Sequence, residues 1–107
     1  MNSQIKKGLL DICVLSCINK EDSYGYKIIK TLDPLIKISE STLYTILKRL
    51  LTKKQIIQKN VIHNNRIRKY YSITDQGKLE IENFLTHWSE VDGIIKFIKE
   101  DIDDEKK

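Results

Sequence analysis

Few side chains in this sequence are equipped for covalent chemistry. Cys13 and Cys17 are its only thiols and His63 and His87 its only imidazoles, among 107 residues. Four positions apart, the two thiols share one face of a helix, among Leu10, Ile12, Val14 and Ile18. A disulfide within one helical turn is geometrically awkward. Zinc would need two further ligands at close spacing, and neither isolated histidine supplies them. The cysteines read as reduced thiols in a core, which fits a cytoplasmic protein. No Ser/His/Asp or Cys/His arrangement, phosphate-cradling glycine loop or metal cluster is present. The sequence therefore points away from an enzyme and asks for no cofactor and no metal.

Positive charge is what the chain concentrates. Its three arginines are Arg49, Arg66 and Arg68, clustered with lysines in the middle of the sequence. Residues 1–74 hold 14 Lys and Arg against 5 Asp and Glu, a balance of +9, whereas residues 75–107 hold 5 against 10, a balance of −5; together they give the formal +4. A basic two-thirds followed by an acidic third implies two different partners. The natural partner of the basic part is a polyanion such as double-stranded DNA. No segment couples a basic face to a large apolar one, as a membrane-surface helix would. No apolar run approaches the roughly 18 residues of a bilayer span, and the opening stretch is broken by Asp11 before it reads as a signal peptide.

These charges must be carried by particular elements. The segment Ile5–Ile18 is apolar nearly all round and predicts a helix covered from two directions. Ser23 is placed to cap a second helix from Tyr24 to about Leu32, ahead of Pro34. Leu35–Ile38 reads as a brief strand, and Ser39 as the N-cap of a third helix to about Lys53. On that helix Leu43, Ile46, Leu47 and Leu50 form the buried face, opposite Ser41, Thr45, Lys48 and Thr52, with Tyr44 and Arg49 on the flanks. Short hydroxyls near the N-terminus and cations further along suit a helix that reads base edges and holds phosphates. The same pattern also fits an ordinary amphipathic helix with a solvated face.

Two β-prone runs, 56–63 and 66–74, are joined by Asn64-Asn65, and asparagine tolerates the positive φ of a tight hairpin. In strand alternation Arg66, Arg68 and Tyr70 share one face, with Tyr71 and Ile73 turned to the core. Thr74 or Asp75 caps the last helix, which runs to about Ile102, leaving 103–107 as a frayed tail. Along it Ile81, Phe84, Trp88, Val91, Ile95, Ile98 and Ile102 follow the 3, 4, 3, 4 spacing of a heptad seam, broadened by Leu85 and Ile94. Burying that whole stripe calls for a second copy of the chain. A twofold dimer would read a pseudo-palindromic operator with half-sites about one helical turn apart. From the chain alone Trp88 reads as packing in this seam; two copies facing each other could also sandwich a flat aromatic ligand. The fold class is mainly α with one β-hairpin: a winged helix–turn–helix over 1–74 and a dimerisation helix over 75–102 of the same compact domain.

The blocks Tyr24-Gly25-Tyr26, Ser41-Thr42-Leu43-Tyr44 with Leu47-Lys48-Arg49-Leu50, and Arg68-Lys69-Tyr70-Tyr71 with Thr74 and Gly77 resemble the PadR family of transcriptional regulators. The resemblance spans about residues 3–100 and fits the shorter members, with a single C-terminal helix. It implies a homodimeric repressor whose third helix and wing bind operator DNA. Tyr24, Ser41, Thr42, Tyr44, Thr45, Lys48, Arg49, Arg66, Arg68, Lys69 and Tyr70 are the expected contacts. It also implies an effector, a planar aromatic or drug-like molecule held at the dimer centre. Trp88 and Asp92 stand at the matching place, with Asp11 and Lys7 of the first helix nearby. Their charge suggests either a closed cavity or a cationic ligand. Two other readings stay open: a DNA-binding dimer without an effector, and a protein-interaction adaptor that has lost operator binding.

Overall fold

The structure, a computed structural model, describes the backbone of residues 3–105 and the side chains of residues 8–102. Its elements are α1 (Ser3–Lys20), α2 (Gly25–Leu32), α3 (Glu40–Thr52), β1 (Ile56–His63), β2 (Arg66–Ile73) and α4 (Asp75–Glu105). The first three helices enclose the core. Leu10, Val14, Leu15 and Ile18 of α1 meet Ile28 and Leu32 of α2 and the predicted stripe Leu43, Ile46, Leu47 and Leu50 of α3. Ile56 and Tyr71 close this core from the hairpin. Each of these helices turns one apolar stripe inward, so three short elements suffice for one small core.

The helix ends show why the elements stop where they do. Ser39 caps α3 as expected, its hydroxyl accepting the Thr42 amide at 3.2 Å. At the other end Lys54 sits at φ 60°, and the Gln55 amide reaches back to the Leu50 carbonyl at 3.0 Å. This is the left-handed reversal that usually employs glycine, here made by lysine. The hairpin turns on Asn64 and Asn65, at φ 51° and 62°, so that His63 lies opposite Arg66 and Ile56 opposite Ile73. Two consecutive positive φ values give the turn whose twist matches that of its strands.

Three expectations need correction. Leu35–Ile38 forms no strand. The Leu35 and Ile36 amides both turn back to the Leu32 carbonyl, which keeps the chain coiled around Pro34. The third contribution to the sheet comes instead from Ser23, whose amide and carbonyl pair with those of Tyr71 at 3.1 and 2.8 Å. Ser23 is thus buried in a bridge and does not cap α2; Tyr24 occupies the N-cap position, with no side-chain hydrogen bond. The last helix also continues past Ile102 to Glu105, so residues 103–105 are helical where fraying was expected, and 106–107 lie outside the described residues.

Thr74 ties α4 to the rest. Its amide donates to the Gln55 carbonyl at 3.1 Å, its hydroxyl donates to the Lys54 carbonyl at 2.7 Å, and the same oxygen accepts the Gly77 amide at 3.1 Å. One residue thereby joins the end of α3, the root of the wing and the first turn of α4. Beyond that joint α4 leaves the body. Every residue from Leu85 to Ile102 is exposed in the single chain, and the molecule measures 67 × 26 × 21 Å.

Candidate nucleic-acid interface

Between Ser41 and Thr74 the sequence holds no aspartate or glutamate, while Lys48, Arg49, Lys53, Lys54, Lys59, Arg66, Arg68 and Lys69 all fall there. That stretch is α3 followed by the wing, so these two elements carry most of the basic part's excess charge. On α3 the residues expected to read DNA are exposed: Ser41, Thr42, Tyr44, Thr45 and Lys48. The Thr45 and Thr52 hydroxyls donate to the carbonyls of Ser41 and Lys48, at 3.0 and 2.9 Å. With their protons committed to the backbone, these threonines present methyl groups and acceptor lone pairs outward.

Arg49 behaves differently, and its expected role as a DNA contact is corrected here. Its guanidinium forms a two-pronged pair with Asp11 of α1, Nε to Oδ2 at 2.9 Å and Nη2 to Oδ1 at 2.6 Å. Both side chains are largely covered, at 25% and 18% exposure. The fork geometry uses the donors that a phosphate would need. The Asp11 hydrogen bond also raises the guanidinium's pKa still further, outweighing partial burial. Arg49 therefore fixes α3 against α1 and leaves the outward face to Lys48.

The wing's aromatic and cationic residues form a stack. The Arg68 guanidinium lies 4.1 Å from the centre of the Tyr24 ring, and Tyr24 in turn packs on Tyr70 with ring centres 5.2 Å apart. A guanidinium over a ring face is attracted by the ring while its N–H groups can still serve other partners. Arg66 and Lys69 are exposed beside it. A groove of about 380 Å³ runs between this wing and the starts of α2 and α3, lined by Tyr24, Tyr26, Tyr44, Ile67, Lys69 and Tyr71 among others. Tyr24, Tyr44, Arg68 and Lys69 thus meet around one groove and Tyr70 packs on Tyr24, while Ser41, Thr42, Thr45 and Lys48 are exposed along α3 and Arg66 at the wing tip. Sequence reading missed Tyr26 and Ile67, which carry neither charge nor a fixed place in the helical wheel.

The seam positions divide along α4. Ile81 and Phe84 are partly covered by the chain's own core side, whereas Trp88, Val91, Ile95, Ile98 and Ile102 are exposed. Phe84 and Trp88 stack with centres 6.0 Å apart and planes 14° from parallel. Asp92 pairs with Lys96 one turn on, at 3.3 Å. Asp11 does not join them as a free carboxylate. It is committed to Arg49, and the cleft it lines, of about 460 Å³, includes Phe84 and His87 but neither Trp88 nor Asp92. Its expected place in the effector site is withdrawn for that reason; the side chain of Lys7 lies outside the described residues. The cysteines are half-buried and unpaired, with burial pushing both thiols' pKa values up.

A three-helix core, a two-stranded wing bridged to the chain before α2, and an exposed polar face on α3 define a winged helix–turn–helix protein. A model of the PadR-like family of transcriptional regulators matches residues 14–83, and the chain belongs to that family. Its members are regulators of transcription and not enzymes. A PadR-like transcription factor from Bacteroides fragilis is similar over 90% of this chain and 95% of its own, with 30% identity and a TM-score of 0.81. A PadR-like transcriptional regulator from Bacillus cereus is similar over 90% and 96%, with 32% identity and a TM-score of 0.77. Bacillus subtilis PadR, solved in complex with operator DNA, matches over 72% of this chain and 47% of its own, with 26% identity and a TM-score of 0.67.

Proposed function

We propose that this protein is a homodimeric repressor that binds a pseudo-palindromic operator in double-stranded DNA and works in the cytoplasm. The observation that carries this reading is the exposed hydroxyl-and-lysine face of α3 together with the wing that shares a groove with its Tyr44, inside a stretch that holds no acid. Ser41, Thr42 and Thr45 face the bases, and Lys48, Arg66, Arg68 and Lys69 hold phosphates. The α2 start lacks a side-chain cap, so its first amides add donors for a backbone phosphate beside Tyr24. The Bacillus subtilis relative solved in complex with operator DNA supports operator DNA as the partner.

Dimerisation rests on α4. From Trp88 onward its apolar seam finds no cover in its own chain, and a monomer would leave Trp88, Val91, Ile95, Ile98 and Ile102 in water. Two such helices packed together bury the seam and set the distance between the two recognition helices. The Phe84–Trp88 stack then lies near the dimer axis, a surface suited to a planar aromatic or drug-like molecule that relieves repression.

The test is binding to a duplex that the protein itself selects from a randomised pool. Steep loss of affinity with salt is expected. Lys48→Ala and Arg66→Ala should each flatten the slope by about one unit, the amount expected when one phosphate is no longer neutralised. Absence of any selected sequence would favour the adaptor reading and sink this one. Selective binding that no aromatic compound alters would leave a repressor governed by its own concentration.

A further inference from the structure

The wing carries an apolar pair for which the core has no use. Ile62 and Ile67 stand directly opposite each other one step from the Asn64-Asn65 turn, and they are 78% and 70% exposed. Alternation puts them on the same face as Ile56, Tyr71 and Ile73. At the root of the hairpin that face is core; at Asn60 and Lys69 it emerges from the body, and at the tip it is apolar again. Ile67 also lines the groove shared with Tyr44 and Lys69, and so faces the side of α3 that carries Tyr44.

Resting on the DNA-binding reading, we infer that Ile62 and Ile67 form an apolar wedge that presses into the minor groove and opens a base step. Charge complementarity selects this occupant. The pair sits at the tip of a hairpin that carries Arg66, Arg68 and Lys69 and no carboxylate, with Lys69 on its own face and the two arginines on the other, so the tip as a whole suits a polyanion. A hairpin tip meets the minor groove next to a major-groove helix, and apolar side chains inserted there unstack a step and bend the duplex. Base steps that open easily, pyrimidine followed by purine, are then preferred under the wing although no hydrogen bond reads them. Both isoleucines are exposed, so replacing them leaves the core intact.

The experiment compares the natural protein with Ile62→Ser/Ile67→Ser on a duplex selected by the natural protein, scoring affinity by gel shift and bending by circular permutation. The natural protein is expected to bend the duplex by some tens of degrees. The variant should bind roughly tenfold more weakly and leave the duplex nearly straight, while its thermal melting is unchanged. Equal bending and affinity in both proteins would overturn the wedge and leave the regulator standing. A variant that binds and bends normally but self-associates less would assign the pair to a second copy of the chain, and overturn it too. Failure of the natural protein to select any duplex would instead remove the DNA-binding reading, and the wedge with it.

Discussion

Replacing Gly77 by alanine tests the joint between wing and α4. A Cβ there would lie 2.2 Å from the Gln55 carbonyl oxygen, 2.7 Å from Ile73 Cγ1 and 3.1 Å from the Gln55 carbonyl carbon. The isoleucine branch can rotate aside. The carbonyl cannot, because it accepts the Thr74 amide at 3.1 Å, and Thr74 is held in turn to Lys54 and Gly77. Restoring ordinary contact requires the first turn of α4 to move by about 1 Å in a packed interior. Alanine's helix preference returns at most about 1 kcal/mol, whereas overpacking costs about 1–3 kcal/mol and a strained buried hydrogen bond about 1 kcal/mol more. The net expectation is a loss of about 1–3 kcal/mol. For a domain of this size each kcal/mol lowers the melting temperature by roughly 4–8 °C, so Tm should fall by about 4–24 °C. Circular dichroism melts at one fixed protein concentration measure this. Gly93→Ala is the internal control, since a Cβ there meets nothing within 4 Å and should raise Tm slightly. A Gly77→Ala protein melting at or above the natural one would refute the steric account of this glycine.

Three further outcomes are expected. Asp11→Ala should destabilise the fold by about 1–3 kcal/mol, because it strands a largely covered guanidinium; Asp11→Leu/Arg49→Met should regain most of that loss in denaturant titrations. An Arg49→Met protein that binds DNA with a flattened salt slope would return Arg49 to the phosphate contacts. Ile95→Asp/Ile98→Asp should yield a folded monomer by light scattering, and a dimer surviving both changes would exclude α4 as its seam. Cys13 and Cys17, with pKa values pushed up by burial, hold less thiolate near neutrality than a free cysteine does. Alkylation should accordingly be slower than for free cysteine at pH 7 and climb as pH rises through the alkaline range. Rates matching free cysteine would show that the core opens readily.

What the sequence made legible is what repeats at short range. The spacing of Leu43, Ile46, Leu47 and Leu50 determined which face of α3 is buried, and Asn64-Asn65 located the turn and with it the whole register from His63–Arg66 to Ile56–Ile73. Ser39 announced its helix by residue type alone. Two of the misreadings involve partners far apart in the chain. Asp11 and Arg49 are separated by 38 residues, and no local pattern pairs an acid on an apolar helix with one of three arginines. Ser23 looked like a cap because capping is what a serine before a helix does most often. Its backbone instead found Tyr71, a choice decided by where the hairpin packs. Leu35–Ile38 has β-prone residues but no neighbouring strand, and propensity yields when no ladder is available.

The same long-range contacts explain why the conspicuous sequence blocks are where they are. Thr74 and Gly77 sit at the crossing of α3's end, the wing's root and α4's start, where hydroxyl and missing side chain are both used. Tyr24 serves as the platform for Arg68 and Tyr70, and the Arg49 beside Lys48 anchors α3 to α1 while its neighbour faces outward. Arginines that looked alike in the sequence thus divide by what lies opposite them: a carboxylate draws Arg49 inward, the Tyr24 ring lies under Arg68, and Arg66 is left in solvent. Because the Thr74 joint allows little slack, the direction in which α4 leaves the body and the position of the wing are set together. In the proposed dimer, a partner helix that changes the tilt of α4 would then move the wing relative to its twin, and the spacing of the two proposed DNA-reading surfaces would follow from how the seam is packed.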